Sequence, residues 1–156
     1  MMAASGSALK ITVREFEEAD RPALRHLYVA SRNAAFHWNP SNAHQLLDFD
    51  RDTVGEIILV ALAEGGIVGF ASIWAPDSFL HHLFVHPSAF RRGVGTALLA
   101  GCAKYCSKTP TLKCVKENVN AMAFYQSRGW AVIGEGHGAD GPYCLMHHAI
   151  AGRQNV

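Results

Sequence analysis

The stretch His81–Leu99, HHLFVHPSAFRRGVGTALL, poses the question on which the fold depends. Its apolar run stops at Pro87, two arginines follow, and Gly93-Val94-Gly95-Thr96 opens a segment with the composition of a helix. A strand that enters a helix through a glycine-rich turn is suited to holding a phosphate. The first N–H groups of a helix have no internal partner, and the helix dipole adds partial positive charge there. Glycines let a ligand approach the backbone, and Arg91 and Arg92 can add charge-assisted hydrogen bonds. The dinucleotide pattern G-x-G-x-x-G fails because position 98 is Leu98, and the Gly-Lys-Ser/Thr of a P-loop is absent. Taken alone, RRGVGT equally fits a tight turn flanked by solvated arginines.

The rest of the chain bounds the answer. With 156 residues, 49% of them hydrophobic and 17% charged, the chain can bury one core and is too apolar to be disordered. Lys and Arg number 14 against 13 Asp and Glu, a balance that argues against nucleic acid as the main partner. Cys102, Cys106, Cys114 and Cys144 form no Cys-x-x-Cys pair and read as reduced thiols. Cys102 and Cys106, one turn apart on an expected helix, read as small buried hydrophobes rather than a redox pair. No apolar run reaches the roughly 18 residues of a membrane span, and the start of the chain lacks a signal pattern. Residues 1–8 are expected to be a flexible leader, residues 151–156 a tail, and the location cytoplasmic without a membrane partner.

Hydrophobic period and turn residues divide the remainder. Leu9–Phe16 alternates as a strand, and Asp20 is expected to cap a helix carrying Leu24, Leu27, Tyr28 and Ala35 on one side. A shorter helix is expected over SNAHQLLDFD, capped by Ser41 or Asn42. EIILVALAEGGIVGFASIWA reads as a hairpin turning at Glu64-Gly65-Gly66. SFLHHLFV is a strand, GVGTALLAGCAKYCSK a long helix and TLKCV a strand. NVNAMAFYQSRG is a helix that Gly129 ends, and WAVIGEG and YCLMHHAI are the closing strands. The order β-α-α-β-β-β-α-β-α-β-β describes one α/β domain around a mixed sheet over residues 9–150.

A second constellation gives the glycines a purpose. In Glu117–Trp130, Asn118 and Tyr125 are seven residues apart and are expected to share a helix face, with Ala121 between them. Together with LFVHPSAFRRGVGTALL, the pattern Asn118-x-x-Ala121-x-x-Phe124-Tyr125-x-x-x-Gly129-Trp130 resembles the GNAT superfamily of acyl-CoA-dependent N-acetyltransferases. The resemblance runs from Lys10 to about Met146. It implies a sheet of about six to seven strands flanked by about four helices, with acetyl-CoA as co-substrate and an amine as acceptor. A non-catalytic domain that binds or senses acyl-CoA is the alternative.

The resemblance also implies roles. Leu83, Phe84 and Val85 would pair through their backbone with the pantetheine arm. Arg91 and the amides of Arg92, Gly93, Val94, Gly95 and Thr96 would cradle the pyrophosphate. Asn118 would hydrogen-bond the pantetheine arm, and Tyr125 would protonate the departing thiolate. The family usually places Gln or Arg where this chain has Phe90. Strand alternation predicts His81, Leu83 and Val85 on one face and His82 and Phe84 on the other. In several family members the position of His81 faces the acceptor, which makes it the expected base, with His82 as the substitute if the strand is bulged. Trp38 is a candidate for the acceptor rim. His81, His82, His86, His147 and His148 match no common zinc spacing, so no metal is expected. Glu117 and Arg128 read as solvated helix ends. The resemblance leaves a homodimer through the last strands open.

Overall fold

Alternating apolar residues build the centre of the sheet. β2 (Ile57–Ala63) and β3 (Gly66–Trp74) pair antiparallel, as do β3 and β4 (Phe79–Val85), and β2 and β3 carry unbroken runs of buried residues. The computed structural model describes residues 9–35 and 45–148. Among them run seven strands in the order β1-β2-β3-β4-β5-β7-β6. The others are β1 (Thr12–Glu15), β5 (Thr111–Val115), β6 (Trp130–Gly138) and β7 (Gly141–His148). Every neighbouring pair is antiparallel except β4 and β5, which run parallel.

Helices cover both faces. On one, α1 (Arg21–Ala35) and α2 (Asp48–Asp52) pack Leu24, Leu27, Tyr28 and Phe49 against Val60 and Phe70. On the other, α3 (Val94–Cys102) sets Val94, Leu98 and Cys102 against Leu59, Ala61, Ala71 and Ile73. Burying a side chain such as Leu98, fully enclosed here, contributes about 1.5–3 kcal/mol. α4 (Val119–Ser127) lies on that same face beside β5 and β6. The observed order of strands and helices is the one the sequence predicts.

Several boundaries differ from the sequence reading. The β2–β3 turn has Glu64 and Gly65 at φ 53° and 82°, while Gly66 already belongs to β3. This is a two-residue hairpin with both positions left-handed, which suits the strand twist. Asp20 does not simply cap α1. It ends a short 3₁₀ turn, accepts from the Glu17 N–H at 2.8 Å, and takes two bonds from Arg14 at 2.8 and 3.0 Å. The second helix is shorter than expected at Asp48–Asp52, and its predicted caps Ser41 and Asn42 lie outside the described residues, as does Trp38. α3 stops at Cys102 and continues as a 3₁₀ turn over Ala103–Tyr105, so Cys102 and Cys106 do not share one α-helix. All four cysteines are free thiols. The expected leader and tail lie outside the described residues. Among the described residues, no helix is long and apolar enough to cross a membrane.

Candidate active site

The parallel pair β4 and β5 holds together only briefly. Phe79 pairs with Thr111 and Leu80 with Leu112, and there the ladder ends, although β4 continues to Val85 and β5 to Val115. On its β5 side, the backbone of His81 to Val85 therefore has no strand partner among the described residues, and an extended ligand could add there as a strand does. The sequence placed Leu83, Phe84 and Val85 in this role, and they line this split.

At the far end of β4 the chain makes the turn that the glycines suggested. His86 caps the 3₁₀ turn Pro87–Ala89 through Nδ1, which accepts from the Ser88 N–H at 3.1 Å. Arg91 then takes φ 63° and Gly93 φ 89°. Gly93 is the N-cap of α3 and offers no side chain, so the leading amides of Val94, Gly95 and Thr96 are left for a ligand. The left-handed conformation explains Gly93. Gly95 has a different reason: an added Cβ would sit 2.9 Å from Phe124 Cζ, so its absence lets α3 meet α4.

Arg128, read as a solvated helix end, is exposed at the C-cap of α4, and the structure adds partners that the sequence did not show. Its Nε donates to Thr96 Oγ1 at 2.7 Å, and its guanidinium stacks 4.1 Å over the Phe124 ring. A third cation thus borders the start of α3 beside the Arg91-Arg92 turn. The family's usual Gln or Arg position is filled by Phe90, which is exposed.

Asn118 is the N-cap of α4 and not a residue within the helix, and its Oδ1 accepts from the Ala121 N–H at 3.3 Å. Its side-chain NH₂ remains available as a donor. Tyr125 is partly buried on the α3–α4 face, edge-on to Phe124 and Trp130 at 5.3 and 6.0 Å. Burial pushes its phenol above the ordinary value, so it is protonated at neutral pH. Among the described residues its hydroxyl makes no hydrogen bond.

His81 departs furthest from expectation. Ser72 pairs with His82 and the next residue, Ile73, with Leu80, so His81 is the extra residue of a bulge. Alternation fails there, and both histidines turn to the α1 side with ring centroids 3.9 Å apart. Both face Glu56, which precedes β2: His81 Nδ1 is 2.5 Å from Oε2 and His82 Nδ1 is 3.7 Å from Oε1. The Glu56 side chain is 7% exposed, His82 6% and His81 40%. Burial alone would raise the Glu56 carboxyl, but its polar neighbours, above all the hydrogen-bonded His81, outweigh it and hold the group at about 2. A carboxylate only accepts, so His81 Nδ1 carries a proton, and in the neutral ring Nε2 keeps the lone pair. Burial lowers the pKa of His82 and keeps its ring neutral. Glu56 was missed in the sequence because no local pattern links it to residues 25 positions away.

Behind the histidines lies a hydrogen-bonded chain. Tyr28 donates to Asp52 Oδ2 at 2.6 Å, and its oxygen is 3.4 Å from His82 Nε2. Nearby, Arg32 of α1 pairs with Asp140 between β6 and β7 at 2.8 Å, tying the two sides of the split sheet together. A cavity of about 500 Å³ between Lys10, Arg14, Leu62 and Glu64 lies at the β1 edge, away from all these groups.

The model of the acetyltransferase (GNAT) family matches residues 14–130. The peptidyl-lysine N-acetyltransferase YiaC of Escherichia coli strain K12 is 27% identical over 133 residues, covering 78% of this chain and 84% of the relative. The solution structure of apo YjaB from E. coli superposes with a TM-score of 0.75 at 20% identity, over 89% of this chain and 97% of the other. The structure of yncA from Salmonella typhimurium with its cofactor acetyl-CoA gives 0.64 at 21%, over 88% and 92%.

Proposed function

Because the chain belongs to the acetyltransferase (GNAT) family, we propose that it transfers an acetyl group from acetyl-CoA to a primary amine by direct attack in a ternary complex. The observation that carries this reading is the uncapped start of α3, bordered by Arg91, Arg92 and Arg128, at the end of a strand whose partner has peeled away. One end suits a pyrophosphate and the other an extended arm, and the distance between them is spanned by a single strand. Acetyl-CoA supplies an activated thioester to this site.

The chain's own groups then have three tasks. His81 Nε2 accepts the proton of the attacking amine, with Glu56 fixing the ring so that this lone pair faces outward. An unpartnered N–H of the β4 segment Leu83–Val85 stabilises the charge that grows on the carbonyl oxygen. The Tyr125 hydroxyl offers a hydrogen bond to the departing sulfur. Its raised pKa makes it a weak acid, so it acts more by donating this bond than by giving up its proton early. The acceptor to try first is the side-chain amine of a peptide lysine, since the E. coli relative is a peptidyl-lysine N-acetyltransferase. A panel of lysine peptides, amino acids and small amines, incubated with acetyl-CoA and a chelator, tests the reading. Free thiol released above background with at least one amine is expected. Tight coenzyme A binding without thiol release from any amine would favour the sensing alternative.

A further inference from the structure

The bulge at His81 does something that an ordinary strand cannot: it points two consecutive histidines at one carboxylate. Ligand atoms of Glu56, His81 and His82 all lie within 4.8 Å of one another. The 3.7 Å between His82 Nδ1 and Glu56 Oε1 is close to the roughly 3.3 Å that separates two ligands of a tetrahedral zinc ion. Glu56 Oε1 is buried and has no hydrogen-bond partner among the described residues, although its side chain is more than nine-tenths enclosed. A buried carboxylate oxygen without a donor is costly, and a cation would satisfy it.

The hydrogen-bonded chain behind His82 determines which of its nitrogens is free. The Tyr28 proton is committed to Asp52, so toward His82 the Tyr28 oxygen can only accept. His82 therefore carries its proton on Nε2 and turns the Nδ1 lone pair toward Glu56, where only the Ser72 hydroxyl, at 2.7 Å, competes for it. An imidazole whose far N–H is held by a partner backed by a carboxylate is arranged as metal-bound histidines are. His81 lies over the cluster and is the most exposed of the three, so an ion can enter as its ring swings.

We propose that Glu56, His81 and His82 form a binding site for a divalent transition-metal ion of the zinc class, with a water or the Ser72 hydroxyl as the fourth ligand. Two imidazoles and one carboxylate suit such an ion better than magnesium or calcium. The site has a consequence for transfer, and this part rests on the reading of His81 as the base. An ion at His81 Nδ1 moves the ring proton to Nε2, the atom that must accept a proton from the amine. The filled site is thus an inhibited state, reversed by removing the metal.

The test uses the full chain, stripped with a chelator and titrated with Co²⁺, whose visible absorption reports coordination without any activity assay. One equivalent is expected to bind with the intense bands of a four- or five-coordinate site. His81→Ala, at an exposed position, and Glu56→Gln, which keeps the shape but not the charge, should each weaken binding about 10- to 100-fold. No uptake at tens of micromolar Co²⁺, or uptake unchanged in the folded His81→Ala protein, would overturn the site. Zn²⁺ should then inhibit acetyl transfer and EDTA should restore it. If Co²⁺ binds as described and Zn²⁺ leaves transfer undiminished, the site stands and the assignment of His81 as the base falls.

Discussion

Replacing Gly95 by alanine probes the join between the two helices that frame the start of α3. The new Cβ would lie 2.9 Å from Phe124 Cζ and 3.3 Å from Cε1, closer than carbon atoms approach. The Phe124 ring has little freedom to retreat, since Arg128 stacks on it at 4.1 Å and Tyr125 meets it edge-on at 5.3 Å. Overpacking of this kind costs about 1–3 kcal/mol, a factor of roughly 5 to 150 in the folding equilibrium. Urea unfolding should show the loss as a lower midpoint with an unchanged slope. Phe124→Leu in the same chain should recover much of it, because the two effects share one contact. Displacing Phe124 also moves Arg128 away from Thr96, so coenzyme A affinity should fall with stability. Gly93→Ala provides the contrast: its Cβ meets nothing closer than Ile11 at 3.9 Å, and its cost, about 1–2 kcal/mol, comes from φ 89° alone. Phe124→Leu should therefore not rescue it. A Gly95→Ala protein as stable as the parent, or a double variant no better than Gly95→Ala, would refute the packing argument.

Three further outcomes are expected. Tyr125→Phe should lower turnover roughly 10- to 1000-fold while coenzyme A affinity, measured by calorimetry, stays nearly intact; unchanged turnover would return Tyr125 to a packing role. Arg128→Gln should weaken coenzyme A binding several-fold and make it less sensitive to salt, and an unchanged salt dependence would exclude Arg128 from the phosphate cradle. Hydrogen bonds from Arg14 hold the Asp20 carboxyl below the usual range, so the stability it contributes is present above about pH 4 and is lost as pH falls through the lower folded value. Asp20→Asn should consequently lower Tm at neutral pH and by less in acid, and a Tm difference that does not vary with pH would count against the pair.

The architecture was legible because its signals are local. Alternation marked β2 to β4, Gly93 and Gly129 stood where a strand or a helix had to change direction, and the element order followed. The candidate site was legible only where the motif itself marked residues, at Arg91 to Thr96 and at Tyr125. What stayed hidden depends on contacts distant in sequence. The bulge at His81 is set by its pairing with β3 and by Glu56, 25 residues away, and Arg128 meets Thr96 across 32. Asn118 is a different case. An asparagine just before a helical run is a cap signal that composition alone could have given, and its place in a helix-face argument concealed it.

The measurement that bears most directly on the proposed site compares His81→Ala with the unsubstituted chain across a series of primary amines at pH 7, with a chelator present. If His81 removes the proton of the attacking amine, the rate deficit should be large for lysine-like amines, which are almost fully protonated. It should shrink toward none for weakly basic amines that are already neutral, and His82→Ala should show no such trend. A deficit of the same size for every amine, or none at all, would contradict the assignment of the base.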